Sequence, residues 1–219
     1  MPKKTKKKQE KEVKEKIKEP NFDSQTKFIL RSMMGDKIRK LNLGCDTDYR
    51  KGWVNLDKTY NLKADVKHDL DVFPYPFDDN EFDYILAQDV LEHLSNPLEV
   101  MKELWRIAKP KAIIEINVPY WNNHTAWVDI THKRPYTYDS FSSLCGFIYT
   151  GKSLRNGYLP KLFKYKYRKL NWGTSNKFGA KQVCGFMNWF VNLAPTFFER
   201  RFPFLITIEN MRIKLEVLK

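Results

Sequence analysis

Between Lys40 and Gly44, apolar Leu41 and Leu43 alternate with Lys40 and Asn42. This is the period of a buried strand, and a strand from about Ile38 closes on Gly44, where a tight turn favours glycine. A second short strand, Trp53 to Asp57, ends on a carboxylate. Ala64 to Asp69 predicts a third strand, and Phe82 to Ala87 a fourth, after the Pro-rich stretch 73–77 and the polar turn 78–81. The period then becomes helical. Asn96 is placed to cap, Pro97 takes the first helical position and Glu99 lies in capping-box register. Leu98, Met101, Leu104, Trp105 and Ala108 mark its buried stripe, which Pro110 terminates. Lys111 to Pro119 predicts a fifth strand. Further on come a helix over Tyr138 to Phe147, a strand over Leu162 to Leu170, a helix over Ala180 to Arg201 and a last strand over Ile208 to Leu218. Upstream, Asp23 or Ser24 caps a helix reaching Met34.

Strands and helices in this order predict an α/β domain on a parallel sheet. Only eight residues separate Gly44 from Trp53, fewer than a helical crossover takes, so the first connection is expected to be a loop. Ligands of open α/β sheets bind beyond the carboxyl ends of the strands, which turns Gly44 and Asp57 toward one crevice. A residue without a Cβ lets a ligand approach the backbone, and an acid ending the next strand accepts from both hydroxyls of a ribose. An adenosine-containing ligand is therefore expected. Asp57 follows Gly44 by thirteen residues, short of the roughly twenty of a dinucleotide fingerprint, and the loop between them carries Asp46 and Asp48 in place of further glycines. Two carboxylates repel a pyrophosphate. They tolerate S-adenosylmethionine, which has no phosphate and bears a sulfonium and an ammonium.

Composition changes the picture in a few places. A chain of 219 residues, 42% hydrophobic, suffices for one α/β domain with a large core. Its formal charge of +13 is concentrated: residues 2–19 hold nine Lys against four Glu, and residues 152–181 hold nine Lys and Arg with no acid. Residues 1–20 are expected to form a disordered tail ahead of a single domain over 21–219, with a basic aromatic segment at 152–181. Cys45, Cys145 and Cys184 make neither a disulfide framework nor a zinc signature, and suit a reducing cytoplasm. The most apolar stretch, Val183 to Phe198, is interrupted by Asn188, Asn192 and Pro195 and falls short of a transmembrane segment, so a cytoplasmic protein is expected. With Arg200 and Arg201 behind it, that stretch could also make peripheral contact with a membrane surface.

The blocks Leu41-Asn42-Leu43-Gly44-Cys45, Gly52-Trp53-Val54-Asn55-Leu56-Asp57, Pro76 through Asp83 and Val90-Leu91-Glu92-His93-Leu94, taken in order, resemble the class I S-adenosylmethionine-dependent methyltransferases of the type 11 kind. The resemblance covers about Ile38 to Phe141. It implies a Rossmann-like α/β fold, a mostly parallel seven-stranded sheet with an antiparallel C-terminal strand. It further implies that Leu43, Gly44 and Cys45 line the methionine end of the cofactor, that Asp57 holds the ribose diol, that Asp69 and Leu70 meet the adenine, and that Gln88 and Asp89 border the methionyl group. One departure is visible, Asp46 where the family usually has a second glycine.

The long segment Tyr120 to Asp139 leaves the fifth strand and carries His124, Trp127, Asp129, Thr131 and His132. Methyl transfer from a sulfonium needs alignment above all, and a base only where the acceptor arrives protonated. His132 is the expected base and Asp129 its orienter, while His93 is expected to pack near the helix entry. No metal site is expected, since His124, Asp129 and His132 match no ligand spacing. The expected function is S-adenosylmethionine-dependent methyl transfer to an unidentified acceptor, for which the basic segment favours an anion such as a nucleic acid, a phosphorylated glycan or a lipid head group. The alternatives are an inactive methyltransferase-fold binding module and a nucleic-acid-binding protein that uses the basic segments.

Overall fold

The structure, a computed structural model, describes residues 38–59, 63–147, 159–173 and 180–219. The tail expected over 1–20, the helix expected to reach Met34, and residues 152–158 and 174–179 of the basic segment lie outside the described residues.

Strands β1 (Lys40–Leu43), β2 (Val54–Asp57), β3 (Val66–Lys67), β4 (Phe82–Gln88), β5 (Ala108–Pro119), β6 (Phe163–Asn171) and β7 (Asn210–Val217) form one sheet in the order β3-β2-β1-β4-β5-β7-β6. The first five pair in parallel, and β7 runs antiparallel to both of its neighbours, β5 and β6. This is the expected Rossmann-like α/β architecture with its antiparallel C-terminal strand. The third strand is shorter than its pattern predicts, two residues instead of six.

Helix α1 (Pro97–Ile107) connects β4 to β5. Asn96 caps it through its side chain, which accepts from the Glu99 amide at 3.4 Å. Its buried face is Val100, Met101, Leu104 and Ile107, with Leu98 and Trp105 packed at the flanks. The helix ends three residues before Pro110. Ala108 is already extended and pairs with Phe82, so β5 begins there and carries Pro110 through a register shift opposite Phe82 and Tyr84. Trp105 Nε1 donates to the Leu218 carbonyl at 2.8 Å, tying the helix to the end of β7.

Two expected helices differ in the structure. Over 138–147 only a single 3₁₀ turn forms, Ser142–Cys145. Short polar side chains compete with the helical backbone here: Ser140 Oγ accepts from the Thr137 amide at 2.8 Å, Ser142 Oγ donates to Asp139 at 3.1 Å, and left-handed Gly146 ends the turn. The long helix expected over Ala180 to Arg201 is two helices, α3 (Ala180–Leu193) and α4 (Pro195–Arg201), because Pro195 can only begin a helix. Among the described residues between α1 and these lies one short α-helix, α2 (Thr125–Val128).

The asparagines that keep Val183 to Phe198 from reading as a membrane span have a structural use. On α3, Asn192 accepts from the Leu170 amide at 2.9 Å and donates to the Leu170 carbonyl at 2.7 Å. Asn188, one turn earlier, accepts from the Trp172 amide at 2.6 Å and donates to the Gly173 carbonyl at 3.1 Å. Two side chains at i and i+4 thus occupy the outer backbone groups at the end of edge strand β6, at Leu170, and of its continuation at Trp172 and Gly173. The opposite face of α3 and α4 exposes Phe186, Trp189, Leu193 and Phe197. Among the described residues no helix is long and apolar enough to cross a membrane. Replacing Asn192 with Ala strands both Leu170 backbone groups; we expect a loss of about 1–3 kcal/mol in urea unfolding.

Candidate functional site

The carboxyl ends of β1, β2, β4 and β5 lie level. Leu43 pairs with Leu56 on one side and Ala87 on the other, and Gln88 pairs with Asn117. Gly44, Asp57 and Gln88 therefore leave the sheet side by side. Gly44 has φ +62, and an added Cβ would collide with the Val90 Cγ2 methyl and lie 3.1 Å from Val90 Cβ. The turn admits only glycine, for its backbone angle and its close approach to the segment after β4.

The connection between β1 and β2 is a loop, as its length predicts. Two asparagines in mid-strand, Asn42 and Asn55, organise it, and both are fully buried. Asn42 Nδ2 donates to Asn55 Oδ1 (3.2 Å) and to the Asp48 carbonyl (2.7 Å). Asn55 Oδ1 also accepts from the Arg50 amide (2.8 Å), its Nδ2 donates to the Arg50 carbonyl (3.0 Å), and Asp65 Oδ2 accepts from both nitrogens of Asn55. Reading β1 and β2 by their apolar alternation missed these residues; the signal was a polar amide between two apolar residues in each strand.

Asp57 is nearly buried at the end of β2. Its Oδ2 accepts from the Asp46 amide at 2.9 Å and its Oδ1 from the Thr59 amide at 2.8 Å. Burial acts to raise its pKa, but these hydrogen bonds, with Lys67 nearby, outweigh it and hold the carboxyl below the usual range. Asp57 is thus an ionised acceptor with lone pairs to spare for two hydroxyls. Asp46 takes the left-handed conformation (φ +40) that a second glycine would supply, and Asp is among the side chains that tolerate it best. Asp48 is held by Arg50, whose Nε donates to it at 2.7 Å and whose Nη2 reaches Gln88 Oε1 at 3.5 Å.

Of the remaining expected cofactor residues, Leu43, Cys45 and Leu70 are buried, and Leu70 Cδ1 would lie 3.8 Å from a Cβ on Gly44. Asp69 Oδ1 accepts from the Asp71 amide at 3.1 Å and Oδ2 lies 3.8 Å from Lys58 Nζ. Asp89 (φ +51) accepts from Asn117 Nδ2 at 3.1 Å, and burial raises its pKa.

The loop after β5 is pinned to the 3₁₀ turn Leu91–His93 that follows β4. The Lys133 amide donates to the Glu92 carbonyl at 2.7 Å and the Tyr136 hydroxyl to the Leu91 carbonyl at 3.0 Å. This brings His132 against His93, ring centroids 4.6 Å apart. Asp129 accepts from the amide and hydroxyl of Thr131 at 2.8 and 2.7 Å, and its other oxygen lies 4.0 Å from His132 Nε2. Thr131 Oγ1 in turn meets His93 Nδ1 at 2.8 Å. Burial, then His132, hold the His93 imidazole below its ordinary pKa. Buried Glu92 is pushed up to about 7, by its burial and by Asp89 and Asp129. His124 is exposed and stands outside this group. The pairing of His93 with His132 and the burial of Glu92 were not readable from spacing, since 38 residues separate Thr131 from His93.

The described part of the basic segment is strand β6 on the sheet edge. Arg168 pairs with Asp139 at 2.6 Å and stacks over Tyr138 and Tyr165, and Lys166 pairs with Glu216 at 3.4 Å.

Two outcomes are expected. Gly44→Ala loses about 1–3 kcal/mol in chemical denaturation, and adding Val90→Ala recovers the steric part of that loss but not the part due to φ. The stability contributed by Asp57 is complete above the usual carboxylate pKa of about 3.9 and is lost as pH falls through its lower folded value. The stability gap between wild type and Asp57→Asn is therefore constant above about pH 5 and closes at lower pH, as denaturation at stepped pH will read.

Residues 45–116 match the family profile described as methyltransferase domain. No curated protein matches the chain. Similar solved structures include an S-adenosylmethionine-dependent methyltransferase from Archaeoglobus fulgidus, at 16% identity over 88% of this chain and 93% of that one, with a TM-score of 0.48. The YcgJ protein from Bacillus subtilis is similar at 11% identity over 84% and 92%, TM-score 0.49. An S-adenosylmethionine-dependent methyltransferase from Mesorhizobium loti is similar at 12% identity over 86% and 95%, TM-score 0.48. The matched segment runs from the turn after β1 into β5 and takes in Asp57, Gln88 and the whole of α1. The similarity to the methyltransferase domain family thus covers residues 45–116, about a third of the chain.

Proposed function

We propose that the chain binds S-adenosylmethionine across the ends of β1, β2 and β4 and transfers its methyl group to an acceptor approaching along the 120–139 loop. The observation that carries this reading is the level placement of Gly44 and Asp57: a turn with no room for a Cβ beside an ionised, pre-oriented carboxylate. In this reading Leu43, Gly44 and Cys45 face the methionine end, Asp57 accepts from the ribose hydroxyls, Asp69 and Leu70 bound the adenine, and Gln88 and Asp89 border the methionyl group. Transfer is a direct displacement, in which the acceptor lone pair bonds the methyl carbon as the S–C bond breaks and its electrons return to sulfur. The protein supplies alignment and exclusion of water. Activation of a protonated acceptor for loss of its proton is assigned to the cluster around His132 and Asp129. An anionic acceptor is favoured by the excess of Lys and Arg in residues 152–181.

Calorimetric titration tests the cofactor assignment. S-adenosylmethionine and S-adenosylhomocysteine are expected to bind at micromolar concentration and NAD not to bind, with Asp57→Asn weakening S-adenosylmethionine by about tenfold or more, equivalent to about 1.4 kcal/mol. No binding of S-adenosylmethionine at millimolar concentration would overturn the reading, and unchanged affinity in a folded Asp57→Asn would remove the ribose assignment.

A further inference from the structure

Glu92 is 2% exposed, and neither of its carboxylate oxygens has a hydrogen-bond partner. A buried polar group without a partner costs free energy, and a buried charge without one costs more. The surroundings make its isolation less favourable still, because Asp89 and Asp129 add negative charge to the same region. What Glu92 does face is imidazole. One ligand atom from each of Glu92, His93 and His132 lies within 4.8 Å of the other two.

The hydrogen bonds of the two rings decide which nitrogen of each is available. His132 Nδ1 lies 3.2 Å from the Ala126 carbonyl oxygen, which can only accept, so Nδ1 carries the hydrogen. Thr131 Oγ1 gives its single hydrogen to Asp129 Oδ1, so at 2.8 Å from His93 Nδ1 it accepts, and that Nδ1 also carries its hydrogen. Both histidines are thereby left with a lone pair on Nε2. Partners that hold Nδ1–H and fix the ring are the usual support of metal-binding imidazoles.

We propose that Glu92, His93 and His132 form a divalent-cation site, with two imidazoles and one carboxylate as protein ligands. Imidazole donors select zinc-like transition-metal cations over Mg²⁺ and Ca²⁺, which want oxygen shells. At metal–ligand bonds of about 2.0–2.2 Å, tetrahedral ligand atoms sit roughly 3.3 Å apart, so binding draws the three together by an ångström or so. Three protein ligands are one short of a closed tetrahedral set, as in sites that keep a position for water or substrate. On the proposed methyl transfer, the open position takes an acceptor hydroxyl. The cation lowers the pKa of that hydroxyl and its proton leaves to solvent. The oxygen lone pair then forms the new C–O bond as the S–CH₃ bond breaks, releasing S-adenosylhomocysteine. His132 Nε2 then serves the cation and does not itself take the proton. Only this last part rests on the proposed function; the site itself does not.

The test uses the full chain without an affinity tag, stripped with chelator and titrated with Co²⁺ alone, read by visible absorption and by calorimetry. One equivalent is expected to bind at micromolar concentration or tighter. Glu92→Gln, His93→Ala and His132→Ala should each weaken it about tenfold or more while circular dichroism stays that of the folded chain. His124→Ala, on the same loop but outside the cluster, should leave affinity unchanged. No binding at millimolar Co²⁺ or Zn²⁺ overturns the site, as does full affinity in a folded His93→Ala/His132→Ala double variant. S-adenosylmethionine titrated into the same samples reads the cofactor crevice separately. Cofactor binding without cation binding overturns this site alone.

Discussion

The amides of Asn42 and Asn55 face each other inside the sheet, one from β1 and one from β2, and the loop between the two strands hangs on them. A parallel pair normally needs a helix to carry the chain back, and that helix satisfies its own backbone. Here ten residues make the return, and their polar groups have to be met from the strands. Asn42 takes the Asp48 carbonyl, and Asn55 takes the amide and carbonyl of Arg50. Asp65, arriving just before β3, closes the set by accepting from Asn55. Because Asn42 Nδ2 and both polar atoms of the Asn55 side chain are engaged, burying them is tolerable, and the loop has one path.

The geometry of the crevice follows from that path. With the loop held down, the Asp46 amide points at Asp57, and the same contact that places Asp46 in the left-handed region keeps Asp57 ionised and oriented. Across the crevice, Arg50 spans from the loop toward Gln88 at the end of β4. Gly44 lets Val90 and Leu70 close in from the far side. The loop between β1 and β2 and the carboxylate ending β2 are thus set by one buried network.

The segment after β5 is built on a different constraint. The 120–139 loop has no regular partner along most of its length, so it is fastened at points: Trp121 to Tyr136, Lys133 to Glu92, Tyr136 to Leu91, and Lys133 Nζ to Asp71 and Ser95. These ties bury Glu92 and set His132 edge-to-face against His93. Carboxylates gather at the crevice, and the described lysines and arginines of β6 lie on the far edge of the sheet, several paired with acids. The outer backbone of that edge is covered by Asn188 and Asn192, which leaves the aromatic face of α3 and α4 turned to solvent.

Periodicity and capping were enough to read most of the fold. Alternating Leu41 and Leu43, the carboxylate ending β2, the Asn96-Pro97-Glu99 helix start and the short first crossover are local signals, and each reports interactions within a few residues. That Gly44 and Asp57 leave the sheet side by side was legible for the same reason, since strand ends in a parallel sheet are brought level by register alone. Local signals failed where a distant partner outweighed propensity. The segment 138–147 formed one turn instead of a helix because Asp139 and Ser142 bond each other and Arg168. The apolar stretch after Ala180 broke at Pro195 and spent its asparagines on β6. Only the tertiary structure could decide that Glu92, His93 and His132 meet and which nitrogen of each ring keeps its lone pair. That outcome depends on a loop docking across about forty residues of chain, and no spacing rule encodes the carbonyl and hydroxyl that fix the protons.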